Sequence, residues 1–212
     1  MELNVKKLKV MIFNYTDNFQ FSTQLYLENT LLEIITETKL LGTIMTSDLT
    51  WSRNTQMIVK KGYQRMLILH KLFSFKVSRK DMVNIYILYI RSILEFSCQV
   101  WHYSINEEEK QDLERVQKVA LRIILNDEYQ NYEQALEVLN LDKLSSRRNK
   151  LCLSFAKKCL RHDQTKDMFP LNPSNEFNIR NKEKYVVQHA KHSQLLDSSI
   201  PQLQRDLNND AK

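Results

Sequence analysis

The spacing of apolar residues changes along this chain, and the change predicts its elements. Residues 8–13 (LKVMIF) form a short β-prone run, and 14–18 (NYTDN) are turn-like. Residues 24–28 alternate, and 31–36 (LLEIIT) and 39–45 (KLLGTIM) form a further pair separated by Glu37 and Thr38. Period-two patterning with Ile, Tyr and Thr predicts strands. After Gly42 the period lengthens. Over residues 54–73, Met57, Ile58, Met66, Leu67, Leu69 and Phe73 fall near helical spacing. Gly62 interrupts that helix, at a cost of about 1 kcal/mol relative to alanine unless backbone must come close there. Ser78, with Asp81 three residues on, opens a second helix whose face is Met82, Ile85, Tyr86, Tyr89, Ile90, Ile93 and Leu94. Asn106 followed by Glu107, Glu108 and Glu109 starts a third, with acids against the positive end of the helix dipole. Its core stripe is Leu113, Val116, Ala120, Leu121 and Ile124. A short helix is expected over 132–139 and a last strong one over 145–160, with Leu151, Leu153, Phe155 and Ala156 inward. Beyond Arg161 the chain turns polar and carries Pro170 and Pro173. A loosely attached tail is expected there, with one helix over 182–196.

The fold class that follows is mainly α with a small antiparallel β segment at the N-terminus (α+β): a helical bundle plus a polar tail. Residues 1–46, 47–170 and 171–212 are the expected divisions. Two glycines and three prolines in 212 residues favour long helices over turn-rich architecture. Cys98, Cys152 and Cys159 are an odd number at wide spacing, which implies core thiols in a reducing, intracellular compartment rather than a disulfide framework. The N-terminus has no signal-peptide pattern, and no uncharged apolar stretch reaches about 18 residues, so no membrane span is expected.

Catalytic motifs are missing from the sequence: it has no P-loop, no dinucleotide fingerprint, no nucleophile elbow and no paired Cys or His spacing for zinc. His70 and His102 read as structural or surface residues, and His189 and His192 as part of an exposed tail. The formal net charge of +6 suits an acidic partner, of which nucleic acid is the commonest. Residues 143–161 hold Lys143, Arg147, Arg148, Lys150, Lys157, Lys158 and Arg161 with no acidic residue. Residues 51–73 add Arg53, Lys60, Lys61, Arg65 and Lys71. Such faces make phosphate contacts of salt-dependent, sequence-independent affinity.

Three stretches narrow the reading. The first is KLLGTIMTSDLTW (39–51). The second is IYILYIRSILEFSCQVWH (85–102), with the skeleton Tyr-x-x-x-Ile-Arg-Ser-x-Leu-Glu and then Val-Trp-His. The third is LERVQKVALRIIL (113–125). In this order and spacing they resemble the region after the active site in non-LTR (LINE-type, jockey-like) retrotransposon reverse transcriptases. Residues 132–148, 151–172 and 200–208 continue the resemblance.

The resemblance implies a truncated remnant of an RNA-directed DNA polymerase. Residues 1–46 would be the end of the palm, 47–170 a helical thumb-like domain and 171–212 the tail. Lys9 matches a lysine often found in the strand after the catalytic turn. Leu40, Leu41 and Gly42 match the primer-grip hairpin. The parent enzymes use two divalent ions, Mg2+, held by carboxylates in blocks that would precede this chain, which itself has no Asp-Asp dipeptide. No catalysis and no cofactor of its own are therefore expected. The implied partner is an RNA–DNA hybrid or other nucleic acid. Charge and thumb position make Lys60, Lys61, Arg65, Arg147, Arg148 and Lys150 the candidate phosphate contacts. Arg91 with Glu95, and Glu114 with Lys118, are read as i,i+4 pairs of structural weight only. The alternative is a helical protein-interaction module with no nucleic-acid role.

Overall fold

Leu41 (φ 47°) and Gly42 (φ 93°) both lie in the left-handed region and close a hairpin of two four-residue strands. Two successive residues of this kind make the primed turn whose twist matches that of the flanking strands. The computed structural model describes residues 8–13, 24–172, 184–188 and 197–210. They fall into two compact units, Met1–Asn54 and Thr55–Lys212.

Among its described residues the first unit holds six short strands: β1 (Lys9–Val10), β2 (Tyr26–Leu27), β3 (Thr30–Leu31), β4 (Glu33–Ile34), β5 (Glu37–Leu40) and β6 (Thr43–Thr46). β2 and β3 pair antiparallel, as do β5 and β6, with Glu37 opposite Thr46 and Leu40 opposite Thr43. β1 and β4 pair in parallel, so the segment is not purely antiparallel. Residues 31–36 and 39–45 do not form the expected strand pair. The Leu41–Gly42 turn folds 39–45 back on itself, and its partner strand begins at Glu37. The expected turn at 14–18 lies outside the described residues. Asn54 Oδ1 accepts from Ile44 N–H (3.1 Å), and Arg53 pairs with Glu37 (3.0 Å).

The second unit is helical, and the protein is mainly α with a small β segment. Helix α1 (Ser52–Ser74) runs through Gly62 because nothing larger fits. A Cβ there would lie 2.8 Å from Val116 Cγ1 and 3.3 Å from Leu94 Cδ2. Ile58, Met66 and Leu69 are its buried apolar side chains in this unit, whereas Leu67 and Phe73, which share the helical spacing, are exposed.

Helix α2 (Arg79–Ile85) opens on Ser78, whose Oγ accepts from Asp81 N–H and donates to Asp81 Oδ2. It continues through a π-helical turn (Tyr86–Arg91) into α3 (Ser92–Glu95). The buried residues Met82, Tyr86, Ile90 and Leu94 recur every fourth position. Four residues overshoot a full α-helical turn by about 40°. The wider π turn absorbs that drift and keeps the row facing the core. Left-handed Ser97 (φ 50°) ends the run, and Trp101 Nε1 donates to Phe96 O across the break (3.0 Å) to start α4 (Cys98–Trp101).

Helix α5 (Glu107–Leu125) has the expected Asn106 cap, completed into a capping box by Glu109. Leu113, Val116, Ala120, Leu121 and Ile124 are all buried. Helix α6 (Tyr132–Leu139) is capped by Asn131 and ends at left-handed Asn140. Helix α7 (Leu144–Cys159) buries Leu144, Arg148, Cys152, Ala156 and Cys159. Of the inward residues expected for it, only Ala156 is buried, and Phe155 is exposed. Its core face is turned by one position so that Arg148 lies inside.

The tail differs most from expectation. Residues 184–188 are not helical, and the rest of the span 182–196 lies outside the described residues. Instead α8 (Ser199–Asp210) packs against α4 and α7 and buries Leu203, Gln204, Leu207 and Asn208. Tyr103 donates its hydroxyl to Asp206, and Asn208 grips both the N–H and the C=O of Tyr185. No helix among the described residues is long and apolar enough to cross a membrane.

Candidate nucleic-acid interface

Residues from 85–102, 113–125 and 132–148 meet in a buried polar network. Gln117 on α5 is its hub. Its amide oxygen accepts from Tyr86 on the π turn, and its Nε2 donates to Tyr132 on α6 (2.7 Å) and to Asp142 O before α7 (3.0 Å). Tyr132 donates in turn to Glu114. The other contacts of Glu114 are the N–H groups of Leu144 (3.1 Å) and Ser145 (3.3 Å), the first turn of α7. Helix α7 has no side-chain cap of its own and no acid in its first turn, so α5 supplies both. The expected Glu114–Lys118 pair does not form. Lys118 lies over the Tyr132 ring, 5.0 Å from its centre. Burial pushes both the Tyr86 and the Tyr132 phenols well up, which keeps them as donors.

The Arg91–Glu95 pair is present but nearly buried and long, at 3.8 Å. Arg147 is the nearer partner of Glu95, with Nε at 2.6 Å and Nη2 at 3.3 Å on its two oxygens. This contact raises the Arg147 pKa above its ordinary value, whereas burial lowers that of Arg91.

Arg148 is fully buried (0% exposed), so it cannot reach a phosphate on a duplex surface. Its Nε donates to His102 Nδ1 (3.2 Å), and its guanidinium lies 5.9 Å from the Trp101 ring. Because an arginine nitrogen can only donate, His102 Nδ1 must be the acceptor, and Nε2 donates to Asn149 Oδ1 (2.6 Å). The Val-Trp-His motif is thus a packing element. Cys98 and Cys152 are buried beside it and free, as is Cys159 nearby in the core.

The other candidate contacts divide by helix. On α7, Lys150 pairs with Asp142 and Lys157 with Asp210 (both 2.7 Å). With Arg147 held by Glu95 and Arg148 inside, Lys158 alone of the five α7 cations keeps an uncommitted charge among the described residues. Helix α1 is different. Its 23 residues include Arg53, Lys60, Lys61, Arg65 and Lys71 and no acid. Lys60, Lys61 and Lys71 have no ion pair among the described residues. Arg65 lies over Tyr89, 4.1 Å from the ring centre, and donates to Tyr89 O. Leu40, Leu41 and Gly42 form the tip of the β5–β6 hairpin, where Leu41 is 89% exposed.

Sequence reasoning left Lys71 out of the candidate contacts, although it is as free of ion pairs among the described residues as Lys60 and Lys61, and counted Arg148 among them, although it is buried. The signal for the first was the lack of any acid in α1. For the second it was the four-residue row 144, 148, 152, 156, which a helix carries along one side. Among the described residues, no group of three or more His, Cys, Asp or Glu side chains converges as a metal site. Comparison with known proteins brings no relative to bear: no family model, curated protein or solved structure matches the chain.

Proposed function

We propose that the chain is a non-catalytic remnant of a non-LTR retrotransposon reverse transcriptase that keeps salt-dependent affinity for nucleic-acid backbone, as in an RNA–DNA hybrid, through helix α1. The observation that carries this reading is the contrast between two basic helices. Lys158 apart, the charge of α7 is balanced by Glu95, Asp142 and Asp210, or buried. The charge of α1 beyond Arg53 meets no acid among the described residues. A row of uncompensated lysines attracts a polyanion and releases its counterions.

Titration of the whole chain against an RNA–DNA hybrid at about 50 and 200 mM salt tests the reading. Binding should fall steeply with salt. Changing Lys60, Lys61 and Lys71 together to alanine should weaken it and flatten the salt slope by about 3. Lys150→Ala should leave it nearly unchanged. Absence of binding at the lower salt, or a triple variant that binds like the parent, would refute the reading. The interaction-module alternative draws on exposed apolar side chains such as Leu88, 73% exposed on the π turn.

A further inference from the structure

The exposed face of α1 is not uniformly basic. At about 100° per residue, Tyr63, Leu67 and His70 fall on one line along the helix and Lys60, Gln64 and Lys71 on the next. All six are exposed, Leu67 to 67% and Tyr63 to 39%. An aromatic and apolar ridge thus runs beside a basic one, and Lys60 and Lys71 stand about 16 Å apart along the axis. Arg65 does not take part, because its guanidinium already stacks on Tyr89.

A duplex offers such a face only half of what it needs. The phosphates suit the lysines, but the flat faces of the bases are stacked inside and unavailable to Tyr63, Leu67 and His70. An unpaired strand carries phosphates along one side and bare base faces along the other. Proteins that hold single strands combine a basic track with aromatic platforms for this reason. Resting on the nucleic-acid reading above, we infer that this face of α1 takes an unpaired strand, with its backbone along Lys60 and Lys71 and its bases against Tyr63, Leu67 and His70. The charge complementarity is strict, since α1 carries no acid to repel the strand.

The test measures the whole chain by fluorescence anisotropy against a labelled oligo(dT) of about 12 nucleotides and an RNA–DNA hybrid of equal length. Tyr63→Ala combined with Leu67→Ala should weaken oligo(dT) binding about tenfold and leave hybrid binding within about twofold, while Tyr63→Phe should retain the oligo(dT) affinity. Leu67→Gln, which alters an exposed position only and adds no charge, should give the same selective loss. Equal loss for both ligands, or no loss for either, would overturn the inference while leaving the backbone-binding reading intact. Failure of both ligands to bind the parent chain removes that reading as well. Dimerisation seen by sedimentation and abolished by Leu67→Gln, with oligo(dT) binding unaffected, would assign the face to a second copy and overturn the inference.

Discussion

His102 is held neutral by its neighbours. Its ring is 4% exposed, and Nδ1 must stay unprotonated to accept from Arg148. Burial foremost, with the Arg148 and Lys110 charges adding to it, lowers its pKa to about 4, from 6.5. The unfolded chain takes up a proton between those two values and the folded chain refuses it. This contribution to stability is complete above about pH 6.5 and is lost as pH falls toward 4. The loss between pH 7 and pH 5 should be about 2 kcal/mol, read as a lower urea midpoint. In His102→Gln that part of the pH dependence should disappear. Equal pH slopes for parent and variant would mean that the ring is protonated in the fold. The sequence located His102 in a structural motif and left it between surface and core. It could not reveal the guanidinium that sets the tautomer, because Arg148 sits in a run of cations that looks solvated throughout.

Between elements, the decisive contact is the reach of Glu114 from α5 to the start of α7. An N-terminus without a cap leaves N–H groups unpaired, and a carboxylate there satisfies them and meets the positive end of the dipole. Glu114→Ala should cost about 2–3 kcal/mol, since it removes the cap and strands the Tyr132 hydroxyl. Glu114→Gln keeps an accepting oxygen but loses the charge, and should fall about midway. Thermal unfolding of the two variants checks this, and an alanine variant as stable as the parent would deny the cap. The boundaries of α1, α5, α6 and α7 were readable because caps and periodicity are local. What a helix end finds across space is not local. Glu114 was therefore read as a partner for Lys118, and Arg147 as a free cation when Glu95 holds it. The basic character of α7 survived sequence reading; its neutralisation by residues far along the chain did not.

At the scale of the molecule, the chain returns on itself. Residues 171–212 are polar enough to read as a tail, yet α8 is part of the helical core. Its burial rests on only two large apolar side chains, Leu203 and Leu207, and on polar ones that hydrogen-bond where they enter. Gln204 accepts from Gln188 N–H and donates to Met168 O, both distant along the chain. Amides satisfied in this way sit in a core without raising its hydropathy, which is why periodicity missed the helix. Residues 51–161 alone should therefore be less stable than the core they belong to. Burying Leu203 and Leu207 contributes about 3–5 kcal/mol, a large share of a typical domain's net stability of about 5–15 kcal/mol. Deleting residues 197–212 uncovers α4 and α7, frees Tyr103 and Lys157 from Asp206 and Asp210, and releases the Tyr185 backbone from Asn208. The truncated chain should unfold at a markedly lower denaturant midpoint and protect fewer α4 and α7 amides from hydrogen exchange. If it keeps the parent's midpoint and protection, α8 lies on the core without contributing to it. Because α1 makes none of these contacts, its polyanion affinity should survive the deletion under conditions where the truncated chain stays folded.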